Sequence, residues 1–223
     1  MHLLYVAGRI PERVLLALAP MGAKIRINAF KLAAGVVVLC AGFVFGQTAV
    51  EALWYAPDTE VPVPEIGSSA ELALPEDYPT RFRVPVLGID ARVQHVGVNA
   101  KGNMAAPNNF TDVGWYKYGT PPGFVGSAVV AGHVDNGLGL PGVFKDLSEL
   151  KIGDDIFVER EDGVELRFVV TEIQVYPYTH VPRDILFSRT DVARLNLITC
   201  EGAWVAGERT YDQRLVVYAE LAQ

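Results

Sequence analysis

The chain has 223 residues, a length that suits one medium-sized domain with a tail and allows a substantial hydrophobic core. Half of the residues are apolar and a fifth are charged, a composition that excludes an intrinsically disordered protein. The net charge of −7 argues against nucleic acid as the main partner, because phosphate binding requires a basic surface. The sequence also contains no C2H2, CxxC or P-loop pattern.

A transmembrane anchor is predicted at residues 32–50 (LAAGVVVLCAGFVFGQTAV), which form nineteen consecutive positions without a charge. As a helix this run is about 28 Å long, close to the bilayer's hydrocarbon thickness of about 30 Å. A buried core helix is the alternative, but such a helix normally carries a polar stripe, which this run lacks. A cleaved signal peptide is less favoured, because the run exceeds a usual apolar signal core and no clean A-x-A site follows it.

The charges on either side of this run orient it. The charged side chains of residues 1–31 are mostly basic, whereas those of the thirty residues after the run are all acidic. The positive-inside rule therefore predicts a cytoplasmic N-terminal segment at 1–31, a single pass through the cell membrane and an extracellular remainder. Met21 is an alternative translation start to Met1, since MGAKIRINAFK gives a compact basic segment before the anchor.

Residues 51–80 have the composition of a stalk. They are rich in proline, glutamate and alanine, as in APDTEVPVPEIGSSAELALPEDYP. Proline-rich segments build no core and favour an extended conformation. We therefore expect an acidic extracellular stalk that holds the next domain away from the bilayer.

Residues 81–223 show the pattern of an all-β domain, with short apolar runs separated by turn signals. Helical periodicity is confined to FKDLSELK and RDILFS. Seven or eight strands within some 140 residues predict a sandwich or a barrel. Pro85 predicts an edge or a bulge in the first run. The predicted strands are FRVPVLGID, ARVQHVGV, GSAVVAGH, DDIFVER, VELRFVVTEIQVYPY, RLNLIT and QRLVVYAEL.

Cys200, at the end of LNLIT, is the only cysteine outside the predicted anchor, because Cys40 lies within it. A disulfide between the two is not expected, so Cys200 is predicted to be a free thiol. Taken alone, such a cysteine is more often a small core residue than a nucleophile. Glu201 and Gly202 break the apolar run and are expected to open a loop.

Two further residues shift that balance. His133 ends the run GSAVVAGH just before a glycine-rich loop, and Arg214 opens the last predicted strand, RLVVYAEL. A neighbouring cation raises the thiolate fraction of a cysteine, whose ordinary pKa is about 8.5. An imidazole can move protons, and a guanidinium can donate hydrogen bonds to a developing oxyanion. Cysteine, histidine and arginine together are therefore sufficient for acyl transfer.

These motifs resemble a sortase, with AGH, a long strand-rich interval, LITC and an arginine before the final apolar strand. The T-L-x-T-C motif of that family is met from Leu197 to Cys200, but Asn196 replaces the first threonine. The segments VGWY and AGHVDNGLG-PGVFKDLSELKIGD are most similar to class F sortases. Sortases are membrane-anchored cysteine transpeptidases, so the resemblance implies an all-β fold with a closed eight-stranded barrel, short helices and one N-terminal transmembrane helix.

The resemblance also implies a role for each residue of the motif. Cys200 would be the nucleophile, and His133 the general acid for the leaving amine and then the base for the incoming one. Arg214 would hold the substrate backbone and stabilise the oxyanion. Arg209 is its rival, and Arg214 is preferred because the family arginine directly precedes an apolar strand. Thr199 would contact the substrate or the backbone.

The implied reaction cleaves an LPxTG-like signal between Thr and Gly through a thioacyl intermediate and transfers the acyl group to an amine. The implied partners are surface proteins with a C-terminal sorting signal, an amine on cell-wall precursor or a pilin lysine, and the membrane. No cofactor and no obligatory metal are expected. Two alternatives stay open: a hydrolytic cysteine protease with the same apparatus, and a non-catalytic anchored surface domain.

Overall fold

The computed structural model describes residues 33–44, 46, 60–61, 74–136 and 139–222. The chain divides into two compact units, Met1–Val50 and Glu51–Gln223. In the first unit, residues 33–44 form helix α1, whose valine and leucine side chains are exposed. Among the described residues, no helix is long and apolar enough to cross a membrane. The predicted segment 1–31, the ends of the predicted anchor and most of the predicted stalk lie outside the described residues, so these assignments stay predictions.

The second unit is built around a closed eight-stranded barrel, which confirms the all-β fold that the motifs implied. The barrel order is β10-β8-β7-β2-β3-β5-β6-β9, and β1 pairs separately with β4. The strands are β1 (Glu60–Val61), β2 (Pro79–Val84), β3 (Ile89–Val96), β4 (Val98–Asn99), β5 (Val113–Tyr116), β6 (Gly126–Ala131), β7 (Asp155–Arg160), β8 (Glu165–Pro177), β9 (Ala193–Val205) and β10 (Thr210–Leu221).

Short helical turns connect some of these strands. Within the described residues these are three 3-10 turns, Pro75–Asp77, Pro85–Leu87 and Leu147–Glu149, and the helix α2 (Arg183–Phe187). The first predicted strand, FRVPVLGID, is divided: β2 ends at Val84, the turn Pro85–Leu87 follows, and β3 begins at Ile89. Pro85 has no N–H to give to a ladder, and Gly88 takes a positive φ of 65° that ends the turn.

The barrel interior holds the main core. Its largest fully buried side chains include Phe82, Trp115, Phe144 and Phe168. A second apolar cluster lies on the outer face, where residues of α2 pack against β6 and β10. Strands β6, β9 and β10 are therefore covered on both faces, which explains why their sequences are almost continuously apolar. The side chains of this outer cluster are Val129, Leu186, Val216 and Tyr218, with Ile198 and five other half-buried residues packed against them.

Candidate active site

The antiparallel pairing of β9 with β10 places Cys200 directly opposite Arg214. Side chains of directly opposite residues share one face of the sheet, about 5 Å apart at Cβ. This is the outer face of the barrel. Ile198, two residues before Cys200 on β9, and Val216, which pairs with Ile198, both belong to the outer cluster. Cys200 is half-buried and forms no disulfide.

Cys200 is not the last residue of its strand. β9 continues to Val205, and its pairing with β10 is interrupted by a bulge at Gly202. Gly202 has a φ of 83°, and a Cβ there would lie 2.2 Å from Oδ1 of Asp212. The expected loop after Cys200 is thus a bulged hairpin extension, since Asp212 caps the bulge by accepting a hydrogen bond from the Ala203 N–H.

His133 follows the neighbouring parallel strand. The last residue pair of β6 and β9 is Ala131 with Ile198, and the Gly132 N–H donates to the Ile198 carbonyl at 3.2 Å. Extended two residues beyond this last pair, the same parallel register sets the backbone of His133 beside that of Cys200. Nε2 of the half-buried His133 lies 2.9 Å from the Pro107 carbonyl oxygen, and the Phe110 ring packs on the imidazole at 4.8 Å between centroids.

Arg214 is held by the chain that leads into it. Its Nη1 donates to the carbonyls of Tyr211 and Gln213 at 3.0 and 2.7 Å, and its Nη2 donates to Thr210 Oγ1 at 2.8 Å. The guanidinium carbon also lies 5.8 Å from the centroid of the Tyr178 ring. These hydrogen bonds occupy at most three of its five donors. Arg214 is therefore fixed in place and still able to donate.

Arg209 lies elsewhere. It is exposed, has a φ of 53° and belongs to the turn between β9 and β10. That turn begins beyond the pair Val205–Thr210, which is five residues from Cys200 and so about 17 Å away at roughly 3.4 Å per residue. The structure thus brings Arg214, and not Arg209, to Cys200.

Burial dominates the electrostatics of Cys200 and raises the pKa of its thiol. Asp135 raises this pKa as well, whereas the Arg214 charge and the backbone N–H of Tyr211 lower it. The neighbouring cation acts in the direction that the sequence suggested, but desolvation outweighs it. The resting thiol is therefore protonated at neutral pH and needs a base.

Asp135 and Tyr211 are two residues of the site that sequence reasoning missed. The Tyr211 hydroxyl donates to Asp135 Oδ2, and this contact raises the Tyr211 pKa to about 12. The hydrogen bond joins the chain just after His133 to the chain between Cys200 and Arg214. Asp135 stands only two positions after His133 in the sequence, but nothing in the sequence indicates its partner.

Thr199 and Asn196 have structural contacts. Thr199 faces the barrel interior, is 4% exposed, and donates from Oγ1 to the Gly132 carbonyl at 2.8 Å. Fully buried Asn196 donates from Nδ2 to the Leu186 carbonyl at 2.7 Å, so the residue that departs from the family motif ties β9 to α2. Its Oδ1 is buried without a hydrogen-bond partner. In the part of the chain that the structure describes, no group of three or more His, Cys, Asp or Glu side chains could hold a metal ion.

The chain is similar to several solved sortase structures. Sortase C1 of Streptococcus suis is 20% identical, with a TM-score of 0.50 over 66% of this chain and 74% of that one. Sortase C-1 of Actinomyces oris is 25% identical, with a TM-score of 0.47 over 64% and 72%. Sortase C of Clostridium perfringens, solved with the C-terminal cell wall sorting motif, is 21% identical, with a TM-score of 0.47 over 64% and 69%.

No curated protein matches the sequence. The resemblance to class F is not tested by these matches and stays a prediction. The family model of the Sortase domain, however, matches residues 82–222, which is most of the chain and all of the barrel from Phe82 onward. The chain belongs to the sortase family and is a cysteine transpeptidase.

Proposed function

We propose that this sortase cleaves an LPxTG-like sorting signal between Thr and Gly and transfers the acyl group to an amine on cell-wall precursor or a pilin lysine. The observation that supports the proposal is the position of Cys200, directly opposite Arg214 on β10 and beside the chain that carries His133. Strand pairing thus brings close together the backbones of the three residues whose side chains acyl transfer would use.

In the first half-reaction the Cys200 thiol loses its proton to His133, because burial keeps the thiol protonated at rest. The sulfur attacks the threonine carbonyl carbon, and the carbonyl oxygen becomes an oxyanion that accepts hydrogen bonds from Arg214. The C–N bond then breaks, and the proton on His133 goes to the departing glycine amine. The products are a thioester on Cys200 and a free amine.

The second half-reaction reverses these roles. The acceptor amine attacks the thioester carbonyl carbon and gives a proton to His133. The C–S bond breaks, the proton returns to the sulfur, and a new amide is released. When water replaces the amine, the thioester is hydrolysed to a carboxylic acid. The product therefore distinguishes the two activities, since a transpeptidase forms the amide and a protease forms only the acid.

The site residues other than this triad have supporting roles. The Thr199 hydroxyl holds the Gly132 carbonyl, one residue before His133, so a backbone contact is better supported than a direct substrate contact. The single-pass anchor at 32–50, the cytoplasmic N-terminus and the extracellular barrel belong to the proposal, because a sorting signal and a cell-wall amine meet outside the membrane.

Mass spectrometry of the full-length protein after exposure to a library of sorting peptides tests this function. We expect a thioacyl adduct on Cys200, no adduct after Cys200→Ala, and an unchanged adduct after the matched control Cys40→Ala. With a primary amine present, the expected product is the amide. Hydrolysis alone at every amine concentration would identify a protease, and full peptide cleavage by Cys200→Ala would refute the nucleophile.

A further inference from the structure

The segment before β5 makes two contacts with His133. Its residues 107–112 (PNNFTD) are called the 107–112 loop here. The buried Pro107 offers its carbonyl to Nε2 of His133 at 2.9 Å, and the half-buried Phe110 packs on the imidazole ring at 4.8 Å. The packing of Phe110 fixes the plane of the imidazole ring, and the hydrogen bond to Pro107 fixes the position of Nε2.

A carbonyl oxygen can only accept a hydrogen bond, so Nε2 of His133 must carry a proton to make this contact. A neutral imidazole has one N–H, and therefore its lone pair lies on Nδ1. When the ring accepts a second proton, the same carbonyl stabilises the imidazolium that results.

The 107–112 loop is rigid because it is hydrogen-bonded within itself and to β3. Oδ1 of Asn109 accepts hydrogen bonds from the backbone N–H groups of Thr111 and Asp112 at 3.0 and 2.8 Å, as in an Asx turn. From β3, Gln94 accepts a hydrogen bond from the Asn108 N–H at 3.0 Å and donates to Asp112 Oδ2 at 2.8 Å. One glutamine side chain of β3 thus holds both ends of the loop.

A second segment couples this loop to the backbone of His133. The Val143 N–H donates to the Phe110 carbonyl at 2.8 Å, and the next N–H, of Phe144, donates to the His133 carbonyl at 2.9 Å. Gly142 lies so close that a Cβ there would be 2.3 Å from the His133 carbonyl oxygen. Loop and histidine are therefore held by the same short stretch of chain.

We propose that the 107–112 loop is a positioning element for His133, which fixes the proton on Nε2 and makes Nδ1 the nitrogen that exchanges protons with Cys200 and the two amines. Nδ1 takes the thiol proton, delivers it to the leaving amine, accepts one from the incoming amine and returns it to the sulfur. Nε2 keeps its proton on the Pro107 carbonyl throughout. The inference rests on the proposed transfer reaction, but the ring state can be measured without it.

The first test is ring-nitrogen NMR of the full-length protein labelled with 15N-histidine and titrated upward until the rings are neutral. The His133 signals are assigned by their loss in His133→Gln. His95 is an internal reference, because its Nε2 lies 2.9 Å from the Pro79 carbonyl and its ring lies outside the site. We expect protonated Nε2 and unprotonated Nδ1 on His133, and the opposite tautomer would overturn the proposal.

The second test weakens the loop and measures the rate of thioacyl formation on Cys200. Gln94→Glu replaces a donor with a carboxylate facing Asp112, and Phe110→Ala removes the ring that packs on His133. We expect each to lower the rate about tenfold or more and to give a mixture of His133 tautomers, since general acid–base catalysis contributes about 10²–10⁴-fold.

Two controls separate positioning from folding. Gln174→Glu is the matched control for Gln94→Glu, because Gln174 Nε2 also donates to a carboxylate, Glu172 Oε1, at 3.1 Å. Both residues lie on β8, away from the loop, so we expect an unchanged rate. Phe110→Tyr keeps the ring and restores the rate that Phe110→Ala loses. An unchanged rate and an unchanged tautomer in Phe110→Ala would overturn the inference. Failure of the wild type to form any thioacyl adduct would instead contradict the proposed function, and the tautomer would still decide how the ring is held.

Discussion

At the scale of single residues, the pKa of Cys200 is set by burial and by three neighbouring groups. Burial raises it above the ordinary value, so the rate of alkylation is low at neutral pH and increases as the pH rises through this elevated pKa. Asp135→Asn removes a negative charge that opposes the thiolate, and we expect the midpoint to fall. Arg214→Ala removes a positive charge that favours the thiolate, and we expect the midpoint to rise.

The measurement is the rate of iodoacetamide reaction against pH in the Cys40→Ala background. The change Asp135→Asn keeps an oxygen that can accept from the Tyr211 hydroxyl, so the effect reports charge rather than a lost contact. Shifts of the same sign in both variants would contradict this account.

The choice between the two arginines is also decided at single residues. Arg214→Ala removes donors directly opposite Cys200, and loss of an oxyanion donor typically lowers kcat about 10²–10³-fold. Arg209→Ala alters an exposed turn beyond the Val205–Thr210 pair, and we expect kcat within about twofold of the wild type. Peptide turnover by the two purified variants gives the comparison, and a larger loss in Arg209→Ala would reverse the assignment.

At the scale of secondary-structure elements, Asn196 explains how β9 holds α2. Its Nδ2 bonds the Leu186 carbonyl at 2.7 Å in a fully buried position, so Asn196→Ala leaves that carbonyl without its partner. Such a loss costs about 1–3 kcal/mol of unfolding free energy. Asn103→Ala is the matched control, because Asn103 is exposed and meets Arg183 of α2 only at 3.4 Å.

Urea unfolding of both variants measures the difference. We expect the Asn103 change to stay within about 0.5 kcal/mol of the wild type, as is usual at the surface. Equal effects of the two substitutions would show that the buried bond to Leu186 does not hold α2.

The elements also show how far the sequence could predict the fold and the site. Side chains alternate between the two faces of a strand, so the sequence LNLITC is enough to separate Leu197 and Thr199, which face the core, from Ile198 and Cys200, which face outward. The contacts of His133 with Pro107 and of Asp135 with Tyr211 were not predictable. They join residues 26 and 76 positions apart through strand register, which local patterns do not encode.

At the scale of the whole molecule, the residues of the proposed site all lie in the unit Glu51–Gln223. A chain that begins at Glu51 keeps the β1–β4 pair and the closed barrel, so we expect it to cleave a soluble sorting peptide as fast as the full-length protein. If the anchor at 32–50 holds the enzyme at its acceptor, the same truncation abolishes attachment of surface proteins in cells. Peptide turnover and cell-wall attachment are measured side by side.

A second truncation tests whether barrel closure, rather than chain length, is what the shorter protein must keep. A chain that begins at Pro85 lacks β2, which pairs with both β3 and β7 and buries Phe82 and Val84 completely. Its loss opens the barrel and exposes two strand edges and the core, so we expect no cooperative thermal unfolding and no turnover. Cooperative unfolding of the Pro85 chain, followed by circular dichroism, would show that the site survives on an open sheet.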